Sequence, residues 1–311
     1  MTTASERVSY KSDISEKTKK KAKKELNEDP SKQQKCLNEL RALFNTRPDI
    51  KFRTDDAFLI RFLRAKKYET NRAFKTLVHY YEVRRQHKDI FINFVPSAIM
   101  HVLETKMHFI SDKWDVDGRR VIVFQIDKWD VKQMEATEII RSVLMLLEML
   151  LEEEESQVNG VVVVADASGL TMSHVTKMGP SHRVMMDVIQ NALPLRFKAM
   201  HFVNEPKIID AALALVRPFM SDKLKKRLQF HGEEFASLHK QIPSSILPAE
   251  YGGAVAEFDN KDWREILLGM EDKFIENNKY GFPKTADTLG GTGQGRDAAG
   301  GLTGSFKKLD V

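Results

Sequence analysis

Apolar residues recur along this chain in two rhythms, and the rhythm changes near residue 96. Upstream the spacing is helical. The lysine-rich start predicts a helix from about Lys17, and Leu26, Leu37, Leu40, Leu43 and Phe44 predict one over Glu25 to Asn45. Thr54 or Asp55 can cap a helix whose apolar stripe is Phe58, Leu59, Phe62 and Leu63, leaving Arg61, Arg64, Lys66 and Lys67 as a basic side. Thr70 opens another through Phe74, Leu77, Val78, Tyr81 and Val83. Downstream, short β-branched runs alternate with helical segments. Arg120–Ile126 reads as a strand entered through the Asp117-Gly118 turn. Glu135 to Glu155 reads as one long helix, Gly160–Ala165 as a strand buried on both faces, and Met172–Ala192 as a helix broken at Gly179-Pro180. Ala199–Val203 is a further strand. Strand and helix in alternation mean an α/β domain with a mainly parallel sheet, preceded by a small helical domain.

The next stretch, Val203 to Gly232, is the most informative. Pro206 suits a first helical position, with Asn204 or Glu205 as its cap. Ile208, Ile209, Ala211, Ala212, Leu213, Leu215, Val216 and Phe219 then leave almost no polar side, until Pro218 stops or kinks the helix. Ser221 can cap a following basic helix carrying Lys223, Lys225, Lys226 and Arg227, with Gly232 at its end. A helix apolar all round is buried, lies against lipid, or does each at different times. At about 15 residues it is too short to span a bilayer, which takes about 20. On these residues alone a core helix followed by a solvated basic one is the simpler reading. A lid opening against an anionic membrane is the other.

Composition narrows the class. No window holds 18 consecutive apolar residues, the first residues lack the apolar core of a secretory signal, and Cys36 is the single cysteine. These features predict a cytoplasmic location. The net charge of +5 is modest, but the basic residues are clustered, at Lys17–Lys24, Arg61–Lys67, Arg84–Lys88, Arg196–Lys198 and Lys223–Arg227. Without zinc-finger spacing, an aromatic RNA-binding strand or basic heptads, nucleic acid is the weaker partner for them. Glu152–Glu155 reads as the solvated end of the long helix. From Asp287 the chain is rich in Gly, Ser, Thr and Asp, as in a flexible tail.

Enzymatic chemistry finds no footing. Gly291-Thr-Gly293-Gln-Gly295 follows no strand, Gly179-Pro-Ser181-His182-Arg183 is no nucleophile elbow, and the nine histidines lack metal-ligand spacing. Ser181 reads as a cap. Asp166 ends a strand where α/β sheets place ligands, yet Asp166-Ala-Ser168-Gly169 is ordinary turn chemistry. The expectation is a non-enzymatic protein without cofactor or metal.

Several segments together resemble the CRAL-TRIO lipid-binding family, in the branch of the clavesins and the alpha-tocopherol transfer protein. They are Asp55-Asp-Ala-Phe-Leu-Ile-Arg-Phe-Leu-Arg-Ala65, Asn159–Asp166, Phe202-Val-Asn-Glu-Pro206, Arg217-Pro-Phe219 with Lys223 and Arg227, and Leu247-Pro-Ala-Glu-Tyr-Gly-Gly253. The resemblance runs from about residue 25 to 265. It implies a flexible start (1–24), a helical domain (25–96), a lipid-binding domain (97–265) and a helix remnant with a flexible tail (266–311). It also implies an apolar cavity holding one hydrophobic molecule, with Pro206–Met220 as a mobile gate. Phosphoinositide head groups would be held by Arg196, Lys198, Lys223 and Arg227. Candidate cavity and gate residues are Val143, Leu147, Val161, Val163, Ala165, Ile189, Ile208, Ala212, Leu215 and Phe219. The implied function is carriage of a tocopherol-, retinoid- or other lipid-like ligand between membranes, reversibly at endosomal or other phosphoinositide-rich surfaces. The alternative is a phosphoinositide-sensing adaptor in endosomal or clathrin vesicle trafficking, with protein partners. Two departures bear on the cargo. Pro194-Leu195-Arg196 stands where yeast-type phosphatidylinositol carriers have Pro-Glu-Arg, which argues against internally bound phosphatidylinositol. Val143 and Leu147 stand where tocopherol binders have serines, which makes that part of the pocket more apolar.

Overall fold

The computed structural model describes residues 10–256 and 259–283. Its helical part comprises α1 (Glu16–Leu26), α2 (Pro30–Ala42), α3 (Asp56–Ala65) and α4 (Thr70–Gln86). The single helix expected over Glu25–Asn45 is two. Asn27 turns left-handed at φ 61, the Asp29 carboxylate accepts the Ser31 N–H, and Pro30 fits only a first turn. The boundary expected between residues 24 and 25 therefore falls inside α1, whose Ala22 and Leu26 pack with Ile14 against Val158. Asp55, rather than Thr54, caps α3 by accepting the Phe58 N–H at 3.0 Å.

The sheet has the order β1 (His108–Ile110), β2 (Arg120–Gln125), β3 (Val161–Asp166), β4 (Phe197–Val203), β5 (Leu228–Phe230). β1 pairs antiparallel with β2, and the other three pairings are parallel. β1 and β5 have three residues each, too short to leave an alternating pattern, and β5 lies where the sequence predicted a basic helix. That helix is one turn, Asp222–Lys225. Parallel strands in sequence order, joined by right-handed crossovers, place every connecting helix on one face. α5 (Ala136–Leu150), α7 (Met172–Met178), α8 (Ser181–Asp187) and α9 (Ile209–Val216) follow β2, β3 and β4 in this way. The opposite face packs Val121, Val123, Val162 and Val164 against Leu238, Ile242, Ile246, Leu247 and Tyr251. Ser181 does not cap α8; it is its first residue, after Pro180.

The long helix expected over Glu135–Glu155 ends at Leu150, and a separate α6 (Glu154–Asn159) follows. Glu152–Glu155 is a junction rather than a solvated end. Glu152 accepts from buried Arg61 at 3.0 Å, Glu153 from Arg120 in two bonds of 2.9 Å, and Glu154 from Arg64 at 3.0 Å. Glu155 accepts the Ser15 N–H at 2.7 Å. Burial alone would raise the Glu152 carboxyl, but Arg61 and Lys273 hold it below the usual range. The basic side expected on α3 is thus partly internal.

C-terminal to the sheet, α11 (Lys261–Leu268) and α12 (Glu271–Asn277) return to the helical part, with Phe274 5.8 Å from Phe94 between ring centroids. The boundary expected at residue 266 lies inside α11. The Gly-rich tail, including Gly291–Gly295, falls outside the described residues.

His108 on β1 is 2 % exposed and faces Ser142 at 3.5 Å, with no acid beside it; burial pulls it down to about 3. The unfolded chain binds this proton near pH 6.5 and the folded one does not, so stability drops as pH falls below 6.5. His108→Leu should flatten that acid limb of a thermal-stability profile measured from pH 7 to 4.

Candidate functional site

The crossover-covered face of the sheet carries Ile122, Phe124, Val161, Val163, Ala165, Met200, Phe202 and Leu228, since residues two apart in a strand share a face. Val163 pairs with Ile122 on one side and Met200 on the other, and Met200 with Leu228. On the opposite face the four central valines are 0 % exposed. On this face Phe124, Val163 and Met200 of the inner strands are only half-buried, as is Leu228 on the edge strand β5. The covering residues Val143 of α5, Met178 of α7, Met185 of α8 and Ala212 and Val216 of α9 are half-buried too. Side chains on both layers pack against the core yet keep some accessible surface, so this apolar layer between sheet and helices, here called the trough, is less closely packed than the opposite face.

α9 and its continuation Arg217–Phe219 roof one end of this trough. The segment is not buried all round. Ile209 and Leu213 pack inward with Ala165 and Phe202, whereas Leu215 and Phe219 are 45 % and 39 % exposed. Both ends of the roof are fastened by amides. Gln190 lies in a π-turn, Val188–Ala192; its Nε2 donates to the Phe219 carbonyl and its Oε1 accepts the Ser221 N–H, both at 2.8 Å. At the other end Asn204, at φ 52, donates its N–H to the Gly232 carbonyl at 2.8 Å and its Nδ2 to Asp166 at 3.1 Å. Asn204 and Glu205 therefore tie the chain to Gly232 rather than cap the helix, and the Glu205 carboxylate accepts the Gly232 N–H at 2.9 Å. Asp166 also accepts from the Tyr251 hydroxyl and the Ser168 N–H, each at 2.9 Å, so the expected turn is present and its carboxylate is fully engaged.

Beside the roof, α10 (Asp222–Lys225) begins at Ser221, whose hydroxyl accepts the Leu224 N–H. Lys223 and Arg227 follow the roof directly, while Arg196 and Lys198 flank the first residue of β4. The register shift between Val161 and Val162 makes room for Lys198. Gly160 permits this approach: at φ 84, an added Cβ would stand 2.2 Å from the Arg196 carbonyl. The four cations form one cluster. Burial and then Arg227 and Arg196 lower Lys223; burial and then Arg196 lower Arg227. Burial, Arg196 and Lys21 pull Lys198 down to about 8, against the opposing charge of Glu25. Glu25 pairs with Arg196 at 2.8 Å and Lys198 at 3.5 Å. Among the described residues no carboxylate pairs with Lys223 or Arg227. Arg227 instead donates to the Phe197 carbonyl.

Sequence comparison and fold agree on what this assembly is. Residues 91–253 match the CRAL/TRIO domain, and residues 29–97 match the UBA domain described as Pinta-like. The human alpha-tocopherol transfer protein-like protein is 36 % identical over 285 residues, covering 91 % of this chain and 83 % of the relative. Clavesin-2 of Rattus norvegicus is 38 % identical over 271 residues, covering 86 % and 82 %. The chain belongs to the CRAL-TRIO family. The solved structure of Sfh5 shares the fold, with a TM-score of 0.51 and 14 % identity over 86 % of this chain and all of that one. Lipid binding and transfer is the family's general activity, and among the described residues no helix is long and apolar enough to cross a membrane.

Within this CRAL-TRIO domain the predicted wall residues separate into three groups. Val143, Val163, Ile208 and Ala212 are half-buried, and Val143, Val163 and Ala212 border the trough. Leu147, Val161, Ala165 and Ile189 are closed into packed core. Leu215 and Phe219 are outside: Phe219 lies under the Arg183 guanidinium at 4.9 Å and beside His182. Phe124, Met200, Leu228 and Gln190, which lie in or beside the same layer, were not among the predicted residues. Two of these lie on strand faces the sequence could not orient, Leu228 on a strand it did not predict, and Gln190 in a helix expected to be regular.

Proposed function

We propose that this protein holds one hydrophobic ligand in the trough and carries it between membranes, with Pro206–Met220 as the gate and Arg196, Lys198, Lys223 and Arg227 as the phosphoinositide dock. The observation that supports this reading is the adjacency of the three parts: a loosely packed apolar layer, a roof with exposed apolar residues, and a cation cluster whose Lys223 stands four residues after Phe219 at the roof's end. A ligand of about 25 carbons gains on the order of 20 kcal/mol on leaving water, whether it enters protein or bilayer. Transfer is therefore near-neutral, and the barrier is the passage through water, which an open gate at the membrane removes. Four contacts at about 1 kcal/mol each raise affinity for anionic lipid roughly a thousandfold, enough to dock and still release. Head-group engagement and gate opening are linked, each favouring the other.

Two outcomes check the parts separately. Gln190→Leu removes both amide bonds at the gate's C-terminal end, worth about 1–2 kcal/mol. Hydrogen exchange across residues 205–220 and ligand transfer should both speed up roughly tenfold. Lys198 loses its charge as pH rises through about 8. Affinity for phosphoinositide vesicles should thus fall about fivefold between pH 7 and 9, and Lys198→Arg should remove the dependence. The decisive experiment is mass spectrometry of lipids co-purified with the protein, followed by transfer between vesicles with and without phosphoinositide. One stoichiometric ligand, moved faster to phosphoinositide acceptors, supports the carrier. An empty protein that still binds those vesicles supports the adaptor instead.

A further inference from the structure

The β1–β2 connection presents two apolar side chains to solvent, Trp114 at 45 % and Val116 at 67 % exposure. Turns ordinarily carry polar residues, and this one is built to stay in place. The buried Asp115 carboxylate accepts the Asp117 and Arg119 N–H groups at 2.9 and 2.8 Å and pairs with the Arg119 guanidinium at 2.5 Å. Arg120, held by Glu153 and by the carbonyls of Ser111 and Asp112, covers one face of the Trp114 ring at 4.8 Å. The other face and Val116 are left outward on a tip braced by these hydrogen bonds.

Alongside runs α1. It buries Thr18, Ala22 and Leu26, so Lys17, Lys19, Lys20, Lys23 and Lys24 are exposed. Lys17 donates to the Val116 carbonyl at 3.2 Å and Lys21 to that of Asp117 at 3.0 Å. Lys21 feels the charges of Glu25 and Arg196, which joins this surface to the cation cluster beside the gate. We propose that the Trp114–Val116 tip and the lysine face of α1 form a second contact with an anionic lipid bilayer. The tryptophan and valine enter the head-group region while the lysines engage anionic lipid. A braced tip loses little conformational freedom on docking. Lysines alone would suit any polyanion; two exposed apolar residues fixed among them suit a bilayer interface. The contact rests on the membrane-docking reading and gives it a function of orientation, setting the gate at the surface from two sides.

Tryptophan fluorescence can test this directly. Of the three tryptophans, Trp129 and Trp263 are 5 % and 6 % exposed, so Trp114 is the one available to lipid. Full-length protein would be mixed with phosphatidylcholine vesicles, with and without phosphatidylserine and with added phosphatidylinositol bisphosphate, using brominated acyl chains as quencher. Expected are quenching and a blue shift on anionic vesicles, both lost in Trp114→Phe/Val116→Ser. Lys17→Gln/Lys20→Gln/Lys24→Gln should weaken binding to phosphatidylserine vesicles about a hundredfold or more at unchanged melting temperature. Normal binding with no Trp114-dependent quenching overturns the second contact while leaving the gate-side dock standing. Lysine-dependent binding to a soluble polyanion such as heparin, with none to vesicles, also overturns it. Loss of the phosphoinositide-dependent part of binding in Lys223→Glu/Arg227→Glu, with Trp114 quenching intact on phosphatidylserine vesicles, supports it as a separate contact. No binding of the parent protein to any anionic vesicle removes both.

Discussion

Lys223→Glu/Arg227→Glu should abolish the preference for phosphoinositide acceptor membranes while the protein still loads its ligand. Two cations are lost and two anions gained beside Arg196 and Lys198, which at about 1 kcal/mol per charge lowers membrane affinity on the order of a thousandfold. Both positions are well suited to this test. Neither has an acidic partner among the described residues, so reversal removes no ion pair. Lys223 lies in the one-turn helix after the gate and is the cleaner single change. Arg227 also donates to the Phe197 carbonyl, so Arg227→Glu alone should cost some stability, visible as a lower melting temperature. Vesicle-to-vesicle transfer with fluorescent ligand, run with and without phosphoinositide in the acceptor, separates the effects. Unchanged phosphoinositide dependence in the double variant would sink the docking assignment.

Arg64→Leu should destabilise the fold by about 3–5 kcal/mol, lowering the melting temperature by roughly 10 °C. Arg64 is 0 % exposed and uses all five of its N–H donors. Nε and Nη2 grip Glu28 at 2.9 and 2.8 Å, Nη1 reaches Glu154 at 3.0 Å and Gln157 at 2.8 Å, and Nη2 also reaches Ser12 at 2.8 Å. Its removal strands buried Glu28, in the link between α1 and α2, and takes a partner from half-buried Glu154, which is why breaking such a pair is expensive. Arg64→Lys should recover little, because an ammonium cannot copy the planar fork. Arg64→Leu/Glu28→Leu should recover part of the loss by removing the orphaned carboxylate. Thermal denaturation of the parent, Arg64→Leu, Glu28→Leu and the double variant completes the cycle, and a loss below about 1 kcal/mol in Arg64→Leu would contradict the assigned role.

Local signals were legible where neighbours in sequence decide structure. The Asp55 cap, the Asp117-Gly118 turn and the Val161–Ala165 strand each follow from one residue's conformational preference or a short run of β-branched side chains. The arrangement Arg196–Lys198 and Lys223–Arg227 could be read as two clusters; that they are one cluster follows from the β4–β5 pairing, and three-residue β5 leaves no sequence trace. The end of α5 at Leu150 was invisible for a related reason. Glutamate is a good helix former, so Glu152–Glu155 continues the helical pattern, and the break is set by Arg61, Arg64 and Arg120 approaching from elsewhere in the chain.

The sequence by itself determined the alternation of elements, the family and the identity of the charged and apolar groups. These depend on composition and spacing, which the chain carries wherever it folds. Tertiary structure decided which of those groups face one another. Arg61 and Arg64 read as the basic side of a helix and are buried ion-pair centres; the 206–220 segment reads as apolar nearly all round and packs with only one side inward; the first residues read as a flexible lysine-rich start, and α1 is docked against Val158. Periodicity reports which side of an element is apolar. Whether that side meets protein, the trough or solvent depends on what the rest of the chain brings up against it.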